Sequence, residues 1–266
     1  MEAADKRFLR DAEKYAAYLE TPEGKLRVDL TFANLREFLP ESQLEQPLRA
    51  LDIGCGTGAC SLRLARAGVH VTLLDSSAEM LAMAGRAARQ SGVSENTAVK
   101  HGDVADLGNI FSAGSFDIVL CHNVLEYAGD PASVLRDSAR LMRPRPSGIL
   151  SLLVRNRIGE VLKACIQSGD LDLAELFLTA EWGAESLYGG PVRLFTSEGV
   201  ETTIKEASLD VIAVRGVRVI ADYLPPQVSR DSQYRRIFEL ECKLGRLAKF
   251  ASVARYVQYL ARPGIR

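Results

Sequence analysis

Hydrophobic residues follow two different periodicities along this chain of 266 residues. Short aliphatic runs bounded by glycine or polar residues predict strands at 49–53, 69–74, 97–101, 118–121 and 149–154. Apolar positions three and four residues apart predict helices between these runs, for example one that starts at Ser76 or Ser77 and ends at Gly92. This alternation predicts a Rossmann-like, doubly wound α/β fold with a mostly parallel sheet.

Further elements flank this alternating core. The patterns predict N-terminal helices at 2–20 and 25–39, and helical stretches at 158–167 and within 168–190. They then predict a helix at 196–207, a strand at 210–223 interrupted at Gly216, a helix at 229–245 and a strand at 255–261. The strands then number seven, in a single domain of 1–266. The helical stretches after the fifth strand predict a lid inserted into that domain.

The stretch from Leu51 to Asp75 combines a glycine-rich turn with two acidic residues. Gly54 and Gly56 permit positive φ and let a ligand approach the bare backbone, although the same spacing also fits a turn that binds a pyrophosphate. Asp52 would repel a pyrophosphate, yet it suits a ligand that carries an ammonium and a sulfonium group. Asp75 ends the second strand, where a carboxylate can accept both hydroxyls of a ribose. The stretch therefore predicts S-adenosylmethionine as the cofactor.

The motifs LDIGCGTG (51–58) and LLD (73–75) resemble the first two motifs of class I S-adenosylmethionine-dependent methyltransferases. The resemblance implies contacts to the cofactor carboxylate by an N-terminal arginine and to the adenine by the residues after the third strand. The expected cofactor-binding residues are Arg27, Asp52, Gly54, Cys55, Gly56, Asp75, Ser76, Met80, Asp103, Val104 and His122. We accordingly expect N-terminal helices at 1–47, a cofactor-binding half at 48–156, a lid at 157–192 and a substrate-side half at 193–266.

Four stretches outside these motifs resemble the bacterial enzymes that methylate the carboxylate of 5-carboxymethoxyuridine at the wobble position of tRNA. They are EGKLR (23–27), GILSLLVRNRIGEVLKACIQSGDLD (148–172), GVRVIADYL (216–224) and ARYVQYLARP (254–263). The GCGTG turn and the segment 173–190 differ from those enzymes. The resemblance implies a carboxylate acceptor, which is ionised at neutral pH and needs no general base. Two arginines of the shared stretches, Arg218 and Arg255, are expected to hold that carboxylate, with Tyr223 as an additional donor.

Charge is unevenly distributed along the chain. The net charge of −1 and the pI near 6.4 give no general attraction to nucleic acid or to an anionic membrane. Residues 229–262, however, hold eight basic and three acidic side chains. This excess of five positive charges indicates either an ordinary solvated helix face or a surface that contacts a phosphate backbone, for which tRNA is the expected partner.

The remaining composition narrows the class of protein. The five cysteines form no C-x-x-C pair, so we expect reduced thiols and no metal site. The N-terminus is too charged for a secretory segment, and no apolar run reaches the ~18 residues that a membrane span needs. We therefore expect a soluble, cytoplasmic protein that does not associate with membranes, with its oligomeric state left open.

Two alternatives to a tRNA enzyme remain open from the residues alone. A small-molecule O- or N-methyltransferase would deprotonate a phenol or an amine, and His122 or Glu126 would then serve as the base. A protein that binds the cofactor without transferring a methyl group is the second alternative. A pocket without room beside the methyl group of the cofactor would favour the protein without transfer activity. A pocket with room for an acceptor would favour an enzyme, and the side chains that line it would indicate the kind of acceptor.

Overall fold

The computed structural model describes residues 12–39, 47–145, 147–185, 187 and 189–264, and a seven-stranded sheet forms its centre. The strands are β1 (Arg49–Ile53), β2 (His70–Asp75), β3 (Thr97–His101), β4 (Ile118–His122), β5 (Ile149–Arg155), β6 (Trp182–Ala184), β7 (Pro191–Arg193), β8 (Leu209–Val217) and β9 (Tyr256–Pro263). The sheet order is β3-β2-β1-β4-β5-β9-β8, and β6 and β7 form a separate hairpin. The first five strands are parallel, whereas β9 is antiparallel to both β5 and β8. The predicted fold class is therefore confirmed.

Helices cover both faces of this sheet. They are α1 (Ala12–Glu20), α2 (Pro22–Arg36), α3 (Ser61–Arg66), α4 (Ala78–Gln90), α5 (Leu107–Ile110), α6 (Pro131–Leu141), α7 (Arg157–Leu162), α8 (Leu171–Phe177), α9 (Ser197–Glu206), α10 (Tyr234–Gly245) and α11 (Ala248–Ala251). Residues 2–11 of the first predicted helix lie outside the described residues. The second helix begins at Pro22 rather than at Lys25, because Thr21 caps it by accepting the N–H of Gly24 and proline suits the first helical position.

The central strands are buried on both faces. In β1, Leu51 and Ile53 enter one hydrophobic cluster and Ala50 enters another on the opposite face. Such strands need apolar residues at nearly every position, which explains the continuous apolar runs in the sequence. Because β1 pairs with β2 on one side and β4 on the other, a crevice opens beside it at the carboxyl ends of the strands.

The prediction of one long strand from Asp210 to Tyr223 is wrong. β8 ends at Val217, and Arg218 then adopts a left-handed conformation with φ 61°. The next N–H groups, those of residues 219–221, donate to the buried carboxylate of Glu241 at 2.7, 2.9 and 2.8 Å. A carboxylate thus replaces a neighbouring strand as their partner, and the chain turns out of the sheet.

Another predicted helix, at 229–245, starts later than expected, at Tyr234. Before it, the guanidinium of Arg230 donates to the carbonyl oxygens of Ala221 (3.2 Å) and Leu224 (3.1 Å) and pairs with Glu23. These contacts hold the chain in an irregular turn across the end of β8.

The region after β5, the predicted lid, contains more than the expected helices. α7 continues into a π-helical segment, Lys163–Ser168, which ends at Gly169 with φ 65°. α8 and the β6–β7 hairpin follow, and the hairpin was not predicted. A small apolar core formed by Ala164, Ala174, Phe177, Val192 and Leu194 joins these pieces. Within the described ranges, no helix is long and apolar enough to cross a membrane.

Candidate active site

A cavity of about 290 Å³ lies where the carboxyl ends of β1, β2, β4 and β5 meet. β8 runs in the same direction as β5, so Arg218 after its end and Arg255 before the start of antiparallel β9 reach the same edge of the sheet. The lining residues are Tyr15, Tyr18, Arg27, Gly54, Gly56, Asp75, Met80, His122, Asn123, Glu126, Tyr127, Arg155, Lys163, Gln167, Glu185, Leu187, Arg218, Asp222, Arg255 and Tyr256. The topology thus brings residues from both halves of the chain and from the lid to one site.

The glycine-rich turn forms one wall of the cavity. Gly54 and Gly56 have φ values of 62° and 54°. A Cβ atom on Gly54 would lie 2.6 Å from a methyl carbon of Val124, so a side chain there would force the turn to move. Asp75 holds the turn from β2, since its carboxylate accepts the N–H groups of Gly56 (2.8 Å) and Ser77 (2.9 Å). The turn is therefore braced by the same acid that is expected to bind a ribose.

Asp52 lies behind the turn, where it lines a smaller adjoining pocket with Cys55 and Arg27. Burial raises the pKa of Asp52 to about 7, against a hydrogen bond from Ser61 that lowers it. Burial likewise raises the pKa of the Cys55 thiol well above its usual range, so this cysteine stays protonated. A cationic ligand group beside Asp52 would offset the burial and favour the ionised carboxylate.

A chain of hydrogen bonds runs across the floor of the cavity. Arg27 donates to Asn123 Oδ1 (3.1 Å) and to the Tyr15 hydroxyl (3.0 Å), and Asn123 donates to Glu126 Oε1 (2.9 Å). Asn123 has φ 55°, a costly conformation for a non-glycine residue that is common at functional sites. Arg27 is buried, and no carboxylate of the described residues lies within ion-pair distance of it. Its charge is available to an anionic ligand group.

His122 is held as a neutral imidazole. Its Nε2 lies 2.7 Å from Ser151 Oγ, and that hydroxyl accepts a hydrogen bond from Gln258 Nε2 at 2.9 Å. Burial and, to a smaller extent, the positive charge of Arg27 together lower the pKa of His122 to about 3. An imidazole with such a pKa is a weak base at neutral pH.

Glu126 is the second residue that could act as a base. Its Oε1 accepts the backbone N–H of Arg155 (2.7 Å) and the Asn123 amide, so one carboxylate oxygen is engaged in holding β5 against the turn after β4. Burial raises the pKa of Glu126, opposed by these hydrogen bonds and by the charge of Arg155. One oxygen, Oε1, is therefore held between two strand ends, whereas Oε2 has no hydrogen-bond partner among the described residues.

A network of buried ion pairs forms the wall opposite the glycine-rich turn. Arg218 binds Asp222, with 3.1 Å from Nε to Oδ1, and donates to the Tyr18 hydroxyl at 2.8 Å. Arg255 pairs with Glu160, and its Nε lies 3.8 Å from Asp222 Oδ2. The two arginines expected to hold an acceptor carboxylate thus already have carboxylate partners within the chain.

Arg155 extends this network to the lid. Its Nη1 donates to Oε1 of Glu160 on α7 at 3.3 Å, and its guanidinium also pairs with Glu185, the residue that follows β6. The network surrounds Tyr256. Burial alone would raise the pKa of its hydroxyl, but the charges of Arg155, Arg27, Arg218 and Arg255 outweigh burial and lower it. At the Tyr256 hydroxyl, the effect of the arginine charges therefore exceeds the effect of burial.

The structure brings together most of the residues predicted from sequence. Arg27, Gly54, Gly56, Asp75, Met80, His122, Arg218 and Arg255 line the main cavity, and Asp52 and Cys55 line the adjoining pocket. Four of the predicted residues are not among the described residues that line the cavity, namely Ser76, Asp103, Val104 and Tyr223. Asp103 instead accepts the N–H of Ala105 (2.8 Å), and Tyr223 donates to the carbonyl oxygen of Gly159 (3.2 Å).

Several lining residues were not singled out from the sequence. Among them are Tyr18, Asn123, Lys163, Glu185 and Asp222. Asn123 comes two residues after the predicted fourth strand, and its position next to His122 was a usable signal. The others come from the N-terminal helix, the lid and the turn after β8, where only the tertiary fold shows which side chains meet. Among the described residues, no three His, Cys, Asp or Glu side chains converge as metal ligands.

Comparison with known proteins shows the family of this chain. A methyltransferase-domain family model matches residues 44–174. Over 259 residues the chain is 30% identical to the tRNA 5-carboxymethoxyuridine methyltransferase of Escherichia coli (strain K12). This alignment covers 97% of this chain and 96% of the Escherichia coli protein. The chain is also 39% identical over 110 residues to the ubiquinone biosynthesis O-methyltransferase of Sodalis glossinidius, covering 40% of this chain and 41% of the relative.

Solved structures match the fold. A S-adenosylmethionine-dependent methyltransferase from Thermotoga maritima, described as a possible histamine N-methyltransferase, superposes with a TM-score of 0.61 at 15% identity, covering 97% of this chain and 99% of that one. Fold and site together define a methyltransferase that uses S-adenosylmethionine as its cofactor. The chain belongs to the family that includes the Escherichia coli tRNA 5-carboxymethoxyuridine methyltransferase.

Proposed function

We propose that this enzyme transfers a methyl group to a carboxylate on tRNA and so forms the methyl ester of 5-carboxymethoxyuridine at the wobble position. The observation that carries the proposal is the state of His122, whose pKa is about 3 and whose Nε2 lies against Ser151, so that it is a weak base at neutral pH. In Glu126, the other candidate base, Oε1 is held between two strand ends and only Oε2 lacks a partner among the described residues. A phenol or amine acceptor needs a base, whereas a carboxylate acceptor needs none at neutral pH.

The charge of the cavity supports the same acceptor. Five cationic side chains line it, namely Arg27, Arg155, Lys163, Arg218 and Arg255, together with four acidic ones, Asp75, Glu126, Glu185 and Asp222. Arg27 and Lys163 form no ion pair with the described residues, and their charges favour an anionic acceptor over a neutral phenol or a protonated amine. The similarity to the Escherichia coli enzyme, which extends over nearly the whole of both chains, supports a tRNA substrate and with it a cytoplasmic enzyme.

The chemistry of the transfer asks little of the protein beyond position. Bound S-adenosylmethionine supplies a methyl group on a positively charged sulfur. The acceptor carboxylate would form a bond to that methyl carbon, and the electron pair of the broken carbon–sulfur bond would remain on sulfur. No proton moves. The residues of the cavity therefore contribute by orienting the acceptor in line with the methyl group and by excluding water.

We expect Arg27 to bind the cofactor carboxylate, since it is a buried cation beside the glycine-rich turn. We expect Asp52 to face the ammonium group and Asp75 to accept the ribose hydroxyls. Arg218 and Arg255 remain the proposed walls of the acceptor site, and their bonds to Asp222 and Glu160 fix the direction of their guanidinium groups. Esterification removes the negative charge of the acceptor, so the same cations that attract the substrate hold the product less strongly.

The deciding experiment offers the purified enzyme tRNA that bears 5-carboxymethoxyuridine together with labelled cofactor. We expect a base-labile methyl ester on that nucleoside, and no label on matched tRNA that carries 5-hydroxyuridine instead. If the enzyme binds the cofactor but labels neither tRNA, the tRNA proposal is wrong. A small-molecule O- or N-methyltransferase then becomes the working hypothesis.

A further inference from the structure

The cations that line the cavity differ in whether the chain itself neutralises them. Arg155, Arg218 and Arg255 pair with buried carboxylates, as described above. Arg27 and Lys163 have no carboxylate oxygen of the described residues within 4.0 Å. Two positive charges are thus left for ligands, one beside the glycine-rich turn and one on the lid.

The backbone around Lys163 fixes where this second charge lies. Lys163 begins the π-helical segment, a wide turn that is often found at functional sites. The next residue, Ala164, is buried in the core of the lid, and Gln167 Nε2 approaches the carbonyl oxygen of Asp222 at 3.5 Å. Lys163 and Gln167 both line the cavity, so one side of the segment forms part of its wall.

The surroundings of Lys163 favour an anion next to it. Burial lowers the pKa of its ammonium group, and so do the nearby charges of Arg255 and Arg155, against the attraction of Glu160. A half-buried cation among other cations is unfavourable until an anion enters. Lys163 therefore places a positive charge on the lid side of the cavity, away from Asp52 and the glycine-rich turn.

We propose that Lys163 is a substrate-binding residue that makes the enzyme select an anionic acceptor, its ammonium group donating to the acceptor carboxylate. This inference rests on the function proposed above. It assigns the two unpaired charges to two different ligands: Arg27 to the cofactor carboxylate and Lys163 to the carboxylate that receives the methyl group. Arg218 and Arg255 would then shape the site around a carboxylate whose main unpaired partner is Lys163.

The test compares Lys163→Met, which keeps most of the unbranched side chain but removes the ammonium group, with Lys163→Arg, which keeps the charge. Lys205→Met on the exposed surface of α9 is the matched control. The substrate is tRNA with 5-carboxymethoxyuridine, and cofactor affinity is measured separately by calorimetry. We expect Lys163→Met to lower kcat/KM for tRNA by about 10- to 100-fold, the loss expected for one charge-assisted hydrogen bond.

Three further results follow if the inference is right. The cofactor affinity of Lys163→Met stays within about twofold of that of the wild-type enzyme. Lys163→Arg recovers much of the wild-type activity, and Lys205→Met behaves like the wild type. The preference for binding tRNA with 5-carboxymethoxyuridine over 5-hydroxyuridine is also lost in Lys163→Met.

Two outcomes overturn the inference. One is an unchanged kcat/KM in Lys163→Met; the other is an equal loss of cofactor affinity, which would mean a general disturbance of the cavity. Its failure is distinct from failure of the proposed function. If the wild-type enzyme forms no ester, the proposed function is refuted. If the wild-type enzyme is active and Lys163→Met is equally active, only the role of Lys163 is refuted.

Discussion

Burial shifts the pKa values of individual residues at the strand ends in opposite directions. Burial raises the pKa of Asp52 and lowers that of His122, because it disfavours the charged form of an acid and of a base alike. The pKa of His122, about 3, keeps it neutral throughout the range in which proteins are stable. Asp52, with a pKa of about 7, changes charge near neutral pH and is therefore the residue that should give the enzyme a measurable pH dependence.

We predict that cofactor affinity falls as pH drops below 7. The ammonium group of the ligand prefers ionised Asp52, and protonation removes that partner with an apparent pKa near 7. The dissociation constant should then rise by about tenfold for each pH unit once the carboxyl is mostly protonated. Calorimetry with S-adenosylhomocysteine, which retains the ammonium group, measures this between about pH 5.5 and 7.5.

Asp52→Asn should bind more weakly at pH 7.5 and should lose the pH dependence. Asp106→Asn, an exposed carboxylate outside the cavity lining, serves as the control and should reproduce the original profile. A profile that stays steep in Asp52→Asn would assign the titration to another group.

Residue-level predictions from sequence agree with the cavity lining where the residues are close in the chain. The glycines, Asp52 and Asp75 lie within one strand–turn–helix–strand unit, and they line the main cavity and the pocket that adjoins it. Lys163 and Glu185 could not be found in this way. Their roles depend on which way the lid folds back over the sheet, and no short-range pattern encodes that.

At the scale of elements, the strands with buried faces were predicted almost to their ends. Their limits are set by burial, which leaves a continuous apolar run in the sequence. The errors fall where a side chain ends an element, as Glu241 does after β8, or where an element is too short for a period to show, as in the three-residue strands of the lid hairpin.

One of the ion pairs that attach the lid to the sheet, that of Glu185 with Arg155, can be tested by itself. Glu185 follows β6 and pairs with Arg155 at the end of β5, while it also accepts the Tyr127 hydroxyl at 3.1 Å. We predict that Glu185→Gln lowers kcat/KM for the acceptor by roughly 10-fold or more, because a buried arginine loses a charged partner and the hairpin loses its anchor. Cofactor affinity should change by less than about threefold.

Steady-state kinetics with calorimetry of the cofactor separates these two effects. Glu181→Gln, on the exposed start of the same hairpin, is the control and should leave both values unchanged. Equal losses in acceptor turnover and cofactor affinity would show that the ion pair supports the whole cavity rather than the lid.

Across the whole molecule, the positive charge of the C-terminal quarter is less concentrated than its sequence indicates. Arg230 pairs with Glu23, Arg246 pairs with Glu37, and Arg255 is buried in the cavity wall. Arg236 and Lys243, seven residues apart on α10, are exposed on one side of that helix. A tRNA surface in this region should therefore centre on α10.

We predict that Arg236→Ser combined with Lys243→Ser weakens tRNA binding and flattens its salt dependence. If both residues contact phosphates, the slope of log K against log salt should fall by about 1.4 to 1.8, since each contact contributes ~0.7 on single strands and ~0.9 on duplex. Turnover at saturating tRNA should be unchanged, because neither side chain lines the cavity.

Fluorescence titrations at several salt concentrations measure the slope. Arg89→Ser combined with Lys100→Ser removes the same charge near β3, at the opposite edge of the sheet, and should leave the slope intact. If both double variants change the slope equally, the effect reflects net charge rather than a tRNA surface on α10.

The position of β9 has a consequence for how the enzyme comes into being on the ribosome. β9 follows every other strand in the chain, yet it is inserted between β5 and β8 and contributes Tyr256, with Arg255 at its start, to the cavity. During synthesis, the glycine-rich turn and Asp75 emerge early and can begin to fold, but the wall facing the acceptor stays incomplete until β9 leaves the exit tunnel. A nascent chain could thus acquire a place for the cofactor well before it acquires one for the acceptor, so, under the proposed function, an unfinished polypeptide would be unable to modify the tRNAs that surround it.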